Sequence, residues 1–178
     1  MNRRGWLCCG ATLLAAALPV WAQSCPPQGL PARVSIQYEA NATRNGLSLQ
    51  GESTLELNRI GAEYTLTTAL STSGLQWARQ VSEGTVHAEQ LRPKRYSESR
   101  LRRADTSTLL DWPAKKVTFA DGTEAPAHPG LQDRASALLH LSAQQRAQPQ
   151  AQAIEFSVDS LRRISVFRFV RREAERQA

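Results

Sequence analysis

With 178 residues, 41% of them hydrophobic, the chain has room for one sizeable core and no second one. Its formal charge of +6 drops by two, to +4, once Arg3 and Arg4 are set aside. That mild excess points to anionic lipid or polysaccharide rather than nucleic acid as an electrostatic partner. Three cysteines, Cys8, Cys9 and Cys25, are too few and too clustered for a disulfide scaffold or a zinc cluster.

The N-terminus reads as a secretory signal. Arg3 and Arg4 precede an apolar run from Leu7 to Val20, and Val20-Trp21-Ala22 supplies small residues at both cleavage-reading positions. Residues 1–22 are therefore expected to leave after Ala22, taking Cys8 and Cys9 with them. The apolar run is short for a spanning helix, and no later stretch reaches about 18 apolar residues, so an exported, soluble chain that does not span the membrane is expected. Cys25 follows Ala22-Gln23-Ser24, without the leucine-like residue of a lipoprotein signal, and is expected to be a free thiol. It sits in a flexible leader over residues 23–32.

From Val34 onward the residues alternate with period two. Val34, Ile36, Tyr38, Ala40 and Ala42 share one face, and Ser35, Gln37, Glu39, Asn41 and Thr43 the other. Asn45-Gly46 is a strong hairpin signal, because both residues tolerate the positive φ of a type I′ turn. Placing Arg44 opposite Leu47 pairs Tyr38 with Ser53, Ile36 with Leu55 and Val34 with Leu57, which puts every apolar residue on one face. The same register sets Glu39 opposite Glu52, an arrangement read as a solvated face or a bulge at Gly51 before it is read as an acid/base or cation site.

Further strands are predicted over 64–71, 75–81, 85–88, 96–101, 115–119, 154–158 and 164–170. Turn signals at Asn58 to Gly61, Ser73-Gly74, Glu83-Gly84 and Asp121-Gly122 separate many of them. Strands this close leave little room for parallel crossovers. The expected fold is mainly β, a β-rich α+β class: a curved, mostly antiparallel sheet or partial barrel with one principal packed helix, in a single domain over residues 33–170. Residues 144–152, rich in Gln and Ala, read as a connector, and 171–178 as a charged tail that ends abruptly.

Gly130-Leu-Gln-Asp-Arg-Ala-Ser-Ala-Leu-Leu-His140 opens the helix and brings Asp133, Ser136 and His140 within eight residues. On an ideal helix these three share a face. Leu131, Ala135, Leu138 and Leu139 lie opposite, and burying that stripe turns the triad-like residues to solvent. Asp133 and Ser136 are therefore expected to cap the helix, and His140 to sit on its wet side. No catalytic residues are assigned. His87 and His128 lack metal-ligand spacing, so neither a metal nor a cofactor is expected.

Basic residues gather from Arg92 to Arg103 and from Arg162 to Arg172. Arg95, Arg100, Arg102 and Arg168 are the candidates for an anionic surface if those strands are neighbours; otherwise they form a solvated, partly paired face with Glu98, Asp105 and Glu173.

Several ordered phrases resemble a known family: Ser82-Glu-Gly84-Thr-Val86, Leu91-Arg-Pro93-Lys-Arg-Tyr96, Asp111-Trp112 and Gln132-Asp133-Arg-Ala-Ser136. Together, over roughly Val34 to Val170, they resemble an exported, mostly proteobacterial family known as domain of unknown function 3108. The resemblance implies a periplasmic domain built on a curved antiparallel sheet with a packed helix, and it carries no reaction, cofactor or catalytic residue. Gln90 stands where members usually have glycine. Members also tend to continue with another hairpin, so an open sheet edge is expected here.

The function expected from all this is non-catalytic binding of an apolar or amphipathic, lipid-like ligand in the cell envelope, with Tyr38, Trp77 and Leu138 lining the cavity. The alternative is a protein-interaction or assembly factor of the envelope, and the third class a hydrolase of envelope material. Partners are accordingly lipid or envelope polysaccharide, or an envelope protein.

Overall fold

The computed structural model describes residues 30–44, 47–87 and 90–172. Among these residues eleven strands and one helix follow in the order β1 (Arg33–Arg44), β2 (Leu47–Ile60), β3 (Glu63–Thr72), β4 (Leu75–His87), β5 (Gln90–Arg100), β6 (Thr106–Asp111), β7 (Lys116–Thr118), β8 (Glu124–Pro126), β9 (Gln132–Asp133), α1 (Ala137–Ala147), β10 (Ala153–Asp159) and β11 (Ile164–Val170). The first eight strands form one antiparallel meander in sequence order, which among the described residues is open at β1 and β8 and not closed into a barrel. A second sheet, ordered β11-β10-β9, contains a parallel pair: Val158 lies beside Gln132 and Asp159 beside Asp133.

The first hairpin has the register that its periodicity dictates, from Arg44 opposite Leu47 to Val34 opposite Leu57, with no bulge at Gly51. Carried across the sheet, that register aligns Val34, Leu57, Leu66, Ser82, Tyr96 and Thr108 in one row. From Leu57 to Thr108 this row is buried. Leu30, Ala135 and Leu161 join the cluster from outside the large sheet. Two rows further along the strands Tyr38 is 45% exposed and Leu70 39%, so the second layer covers one end of the meander and leaves the other bare. Two smaller clusters flank the first, one around Leu110, Val117, Phe119 and Leu131, the other around Ile154, Phe156 and Val158 beneath α1.

Several sequence expectations are corrected. The 75–81 segment and residues 85–87 of the 85–88 segment are one strand, because Glu83-Gly84 is not a turn but runs on through β4, opposite a bulge at Lys94 of β5. A Cβ at Gly84 would overlap the Arg92 carbonyl oxygen, so only glycine lets β4 and β5 approach where Pro93 interrupts the ladder. Strand β6 was not foreseen. The helix starts four residues after Asp133 and runs through Gln144 to Ala147, taking residues assigned to a connector. Its buried face is also different: Ala137 and His140 are buried, and Leu138 is 54% exposed. Asp133 belongs to a strand, so a helical wheel drawn from it is out of phase with the true helix.

Candidate functional site

Where β9 meets the large sheet, the core is polar. Ser82 on β4 donates its hydroxyl to Asp133 Oδ2 and lies 2.9 Å from the Tyr64 hydroxyl. Asp133 Oδ1 accepts the Ser136 N–H at 2.8 Å, and Ser136 Oγ accepts the Asp133 N–H at 3.0 Å. All of these groups are buried. Burial pushes the Asp133 carboxyl up to about 6, with neighbouring Asp159 adding to the rise, against the hydrogen bonds from Ser82 and Ser136. Asp159 is raised by the same burial, and one of its oxygens has no hydrogen-bond partner, like the nearby Tyr96 hydroxyl and Thr108 Oγ1.

The reciprocal bonds between Asp133 and Ser136 brace the turn that feeds α1. Ser136 itself stands at the N-cap position with helical backbone angles and makes no side-chain cap bond. This replaces the expected exposed cap: Asp133 and Ser136 are fully buried and His140 is 2% exposed. His140 does not engage the Ser136 hydroxyl. Its ring packs edge-on against Phe156 at 4.7 Å, its Nδ1 has no partner, and burial holds its pKa below the usual imidazole value. The Ser136 hydroxyl is held by the backbone of Asp133, whose carboxylate is turned to a different hydroxyl. The three residues build a core junction and do not form a nucleophile beside a base.

A concave site opens at the far end of β4 and β5. It has a volume of about 450 Å³, within the range of small-ligand sites, and lies between these strands and the loop before β9. Leu91, Trp112, Ala127 and Leu131 form its apolar wall. Trp112 is fixed by donating its indole N–H to the Pro93 carbonyl, and the Arg92 guanidinium lies 4.7 Å from the ring centroid. Lys115, with φ 53, brings a second cation, and His87 and His128 stand at the rim. Gln132 also lines the pocket. Its Nε2 donates to the Leu91 carbonyl at 3.0 Å, which leaves the buried Oε1 without a partner. Apolar walls and two cations together suit an amphipathic anion.

Residues 35–174 match the model of a family described as a protein of unknown function, DUF3108. The chain belongs to DUF3108. Neither a curated protein nor a solved structure matches it. Both the polar junction and the pocket fall inside the DUF3108 span, whereas Cys25 and the expected leader precede it.

In this DUF3108 chain the residues singled out from sequence are dispersed. Tyr38, Trp77 and Leu138 are 45%, 50% and 54% exposed on β1, β4 and α1, and none of them lines the pocket. The expected cavity under the helix is instead filled by Leu161, Ala135 and the polar junction. Arg95 is exposed on β5 and Arg102 occupies the following turn with φ 60, while Arg168 lies on β11 in the other sheet, 3.3 Å from Glu155. Strands β5 and β11 are not neighbours, so no continuous basic stripe forms. What forms instead is a polar cleft of about 780 Å³ that gathers Arg100, Arg103, Arg134 and Arg162 with Glu98 and Asp121. Glu98 pairs with one of these, Arg100, at 2.6 Å. Burial alone would raise its carboxyl, but hydrogen bonds from Arg100 and Gln80 outweigh it and hold the pKa below the ordinary value. Glu39 and Glu52 do face each other, and Gln37 donates to Glu52 at 3.4 Å. Sequence reasoning missed Arg92, Trp112 and Gln132 as one site, because the loop that unites them with Leu131 is set by tertiary packing.

Proposed function

We propose that this protein is an exported, non-catalytic binding domain of the cell envelope, which holds an amphipathic anion in the pocket between Trp112 and Gln132. The observation that carries the reading is the pocket's composition. An acyl chain or ring lies against Leu91, Ala127, Leu131 and the Trp112 face, and the anionic end meets Arg92 and Lys115. Export follows from the signal-like residues 1–22, and an envelope lipid or its breakdown product is the chemistry that fits.

Native mass spectrometry of protein purified from its own envelope tests this, with lysophosphatidylglycerol and dodecanoate as added probes. The wild type is expected to carry or acquire one amphipathic anion, and Trp112→Ala and Arg92→Glu to lose it with their circular dichroism unchanged. No adduct on the wild type, or undiminished binding by both variants, would sink the proposal.

A further inference from the structure

Strand β1 is the terminal strand of the large sheet, twelve residues long and without proline or lysine. Such an edge is a template for pairing unless something covers it. Its backbone parity follows from one bond. The Ala32 carbonyl accepts the Arg59 N–H at 2.8 Å, and bonded and unbonded pairs alternate along an antiparallel ladder. Val34, Ile36 and Tyr38 therefore turn their backbone groups toward β2, while Arg33, Ser35, Gln37 and Glu39 turn theirs to the open side.

We infer that β1 pairs with β1 of a second copy, antiparallel about a two-fold axis at Ile36. Only registers that set outward residues opposite outward residues are bondable, and charge selects among them. With Ile36 facing Ile36, Arg33 of each copy meets Glu39 of the other, Ser35 meets Gln37, and Val34 meets Tyr38. A register centred on Glu39 would set two carboxylates face to face. The chosen one forms about eight backbone hydrogen bonds and two opposite-charge pairs. It also covers side chains that the protomer leaves bare on the inner face, since Ile36 and Tyr38 are both 45% exposed there.

The other long edge fits a copy of itself poorly. From residue 162 to 172, within and beside β11, the charged side chains Arg162, Arg163, Arg168, Arg171 and Arg172 are all positive. Strand β1 is self-complementary, as a two-fold contact requires.

The test uses protein purified after expression of the full chain. Sedimentation velocity at micromolar concentration is expected to show a dimer. Glu39→Arg places arginines opposite each other twice per dimer and should weaken association about tenfold, and the double exchange Arg33→Glu with Glu39→Arg should restore it. In a Cys25→Ser background, Ile36→Cys should cross-link to itself under mild oxidation, whereas Gln37→Cys, which faces Ser35, should not. A monomeric wild type, a Glu39→Arg variant that dimerises normally, a double exchange that fails to recover association while folded, or preferential cross-linking through Gln37→Cys would each overturn the inference.

Discussion

Asp133→Asn is expected to flatten the dependence of stability on pH. The wild-type carboxyl sits at about 6 against an ordinary 3.8, and it is fully buried, so the difference is worth roughly 3 kcal/mol. Because the folded value is raised, the folded state binds the proton more readily than the unfolded chain. The stabilising contribution is complete below about pH 4 and is lost as pH rises through about 6. Asn keeps an oxygen for the Ser136 N–H and offers an amide to Ser82, so its cost is constant with pH. His140 contributes the opposite slope: its lowered pKa stabilises above about 6.5 and is lost on acidification. It is present in both proteins and cancels when one curve is subtracted from the other, whereas the coupling to Asp159 is part of what raises Asp133 and stays in the difference. Urea denaturation followed by tryptophan fluorescence, at intervals from about pH 4 to pH 7, gives the difference directly. Wild type minus variant should fall by up to about 3 kcal/mol across that range. A flat or rising difference would mean that Asp133 is ionised without penalty, and the account of the junction would fail.

Two more substitutions probe other features. Gly84→Ala forces a methyl into the Arg92 carbonyl and the Pro93 backbone, and should cost about 1–3 kcal/mol in urea titrations; a neutral result would show that the β4–β5 bulge relaxes freely. Ser136→Ala removes the acceptor for the buried Asp133 N–H and should cost about 1–2 kcal/mol while leaving any ester hydrolysis by the protein unchanged, so a selective loss of hydrolysis with stability intact would contradict the assignment of Ser136 to the turn.

The parts of the fold that were legible in the sequence are those set by neighbours in the chain. The pairing of Val34 through Arg44 with Leu47 through Leu57 follows from alternation and a two-residue turn, and β10 and β11 follow from period alone. What escaped is set by distant contacts. Glu83-Gly84 has the composition of a turn, and only the close approach of Arg92 and Pro93 keeps it in a continuous strand, opposite the bulge at Lys94. Asp133, Ser136 and His140 fit one helical face on paper. The rung between Asp133 and Asp159 takes Asp133 out of the helix, and with it the prediction of which side is wet. Likewise the pocket depends on Leu131 and Gln132 closing over Leu91, a contact across 41 residues that no local pattern encodes.

The parallel rung also bears on when this molecule can fold. Each strand of the meander pairs with the one before it, so the large sheet can grow progressively as the chain emerges. Strand β9 is only two residues long, however, and takes its sheet partner from β10, some twenty-five residues downstream. Until residues 153–159 have appeared, Asp133 has no rung to hold it against Ser82, and the buried row of the meander has no cover. Closure of the core is thus a late, non-local event, of the kind that slows folding. Until then the apolar row of the meander stays open to chaperones.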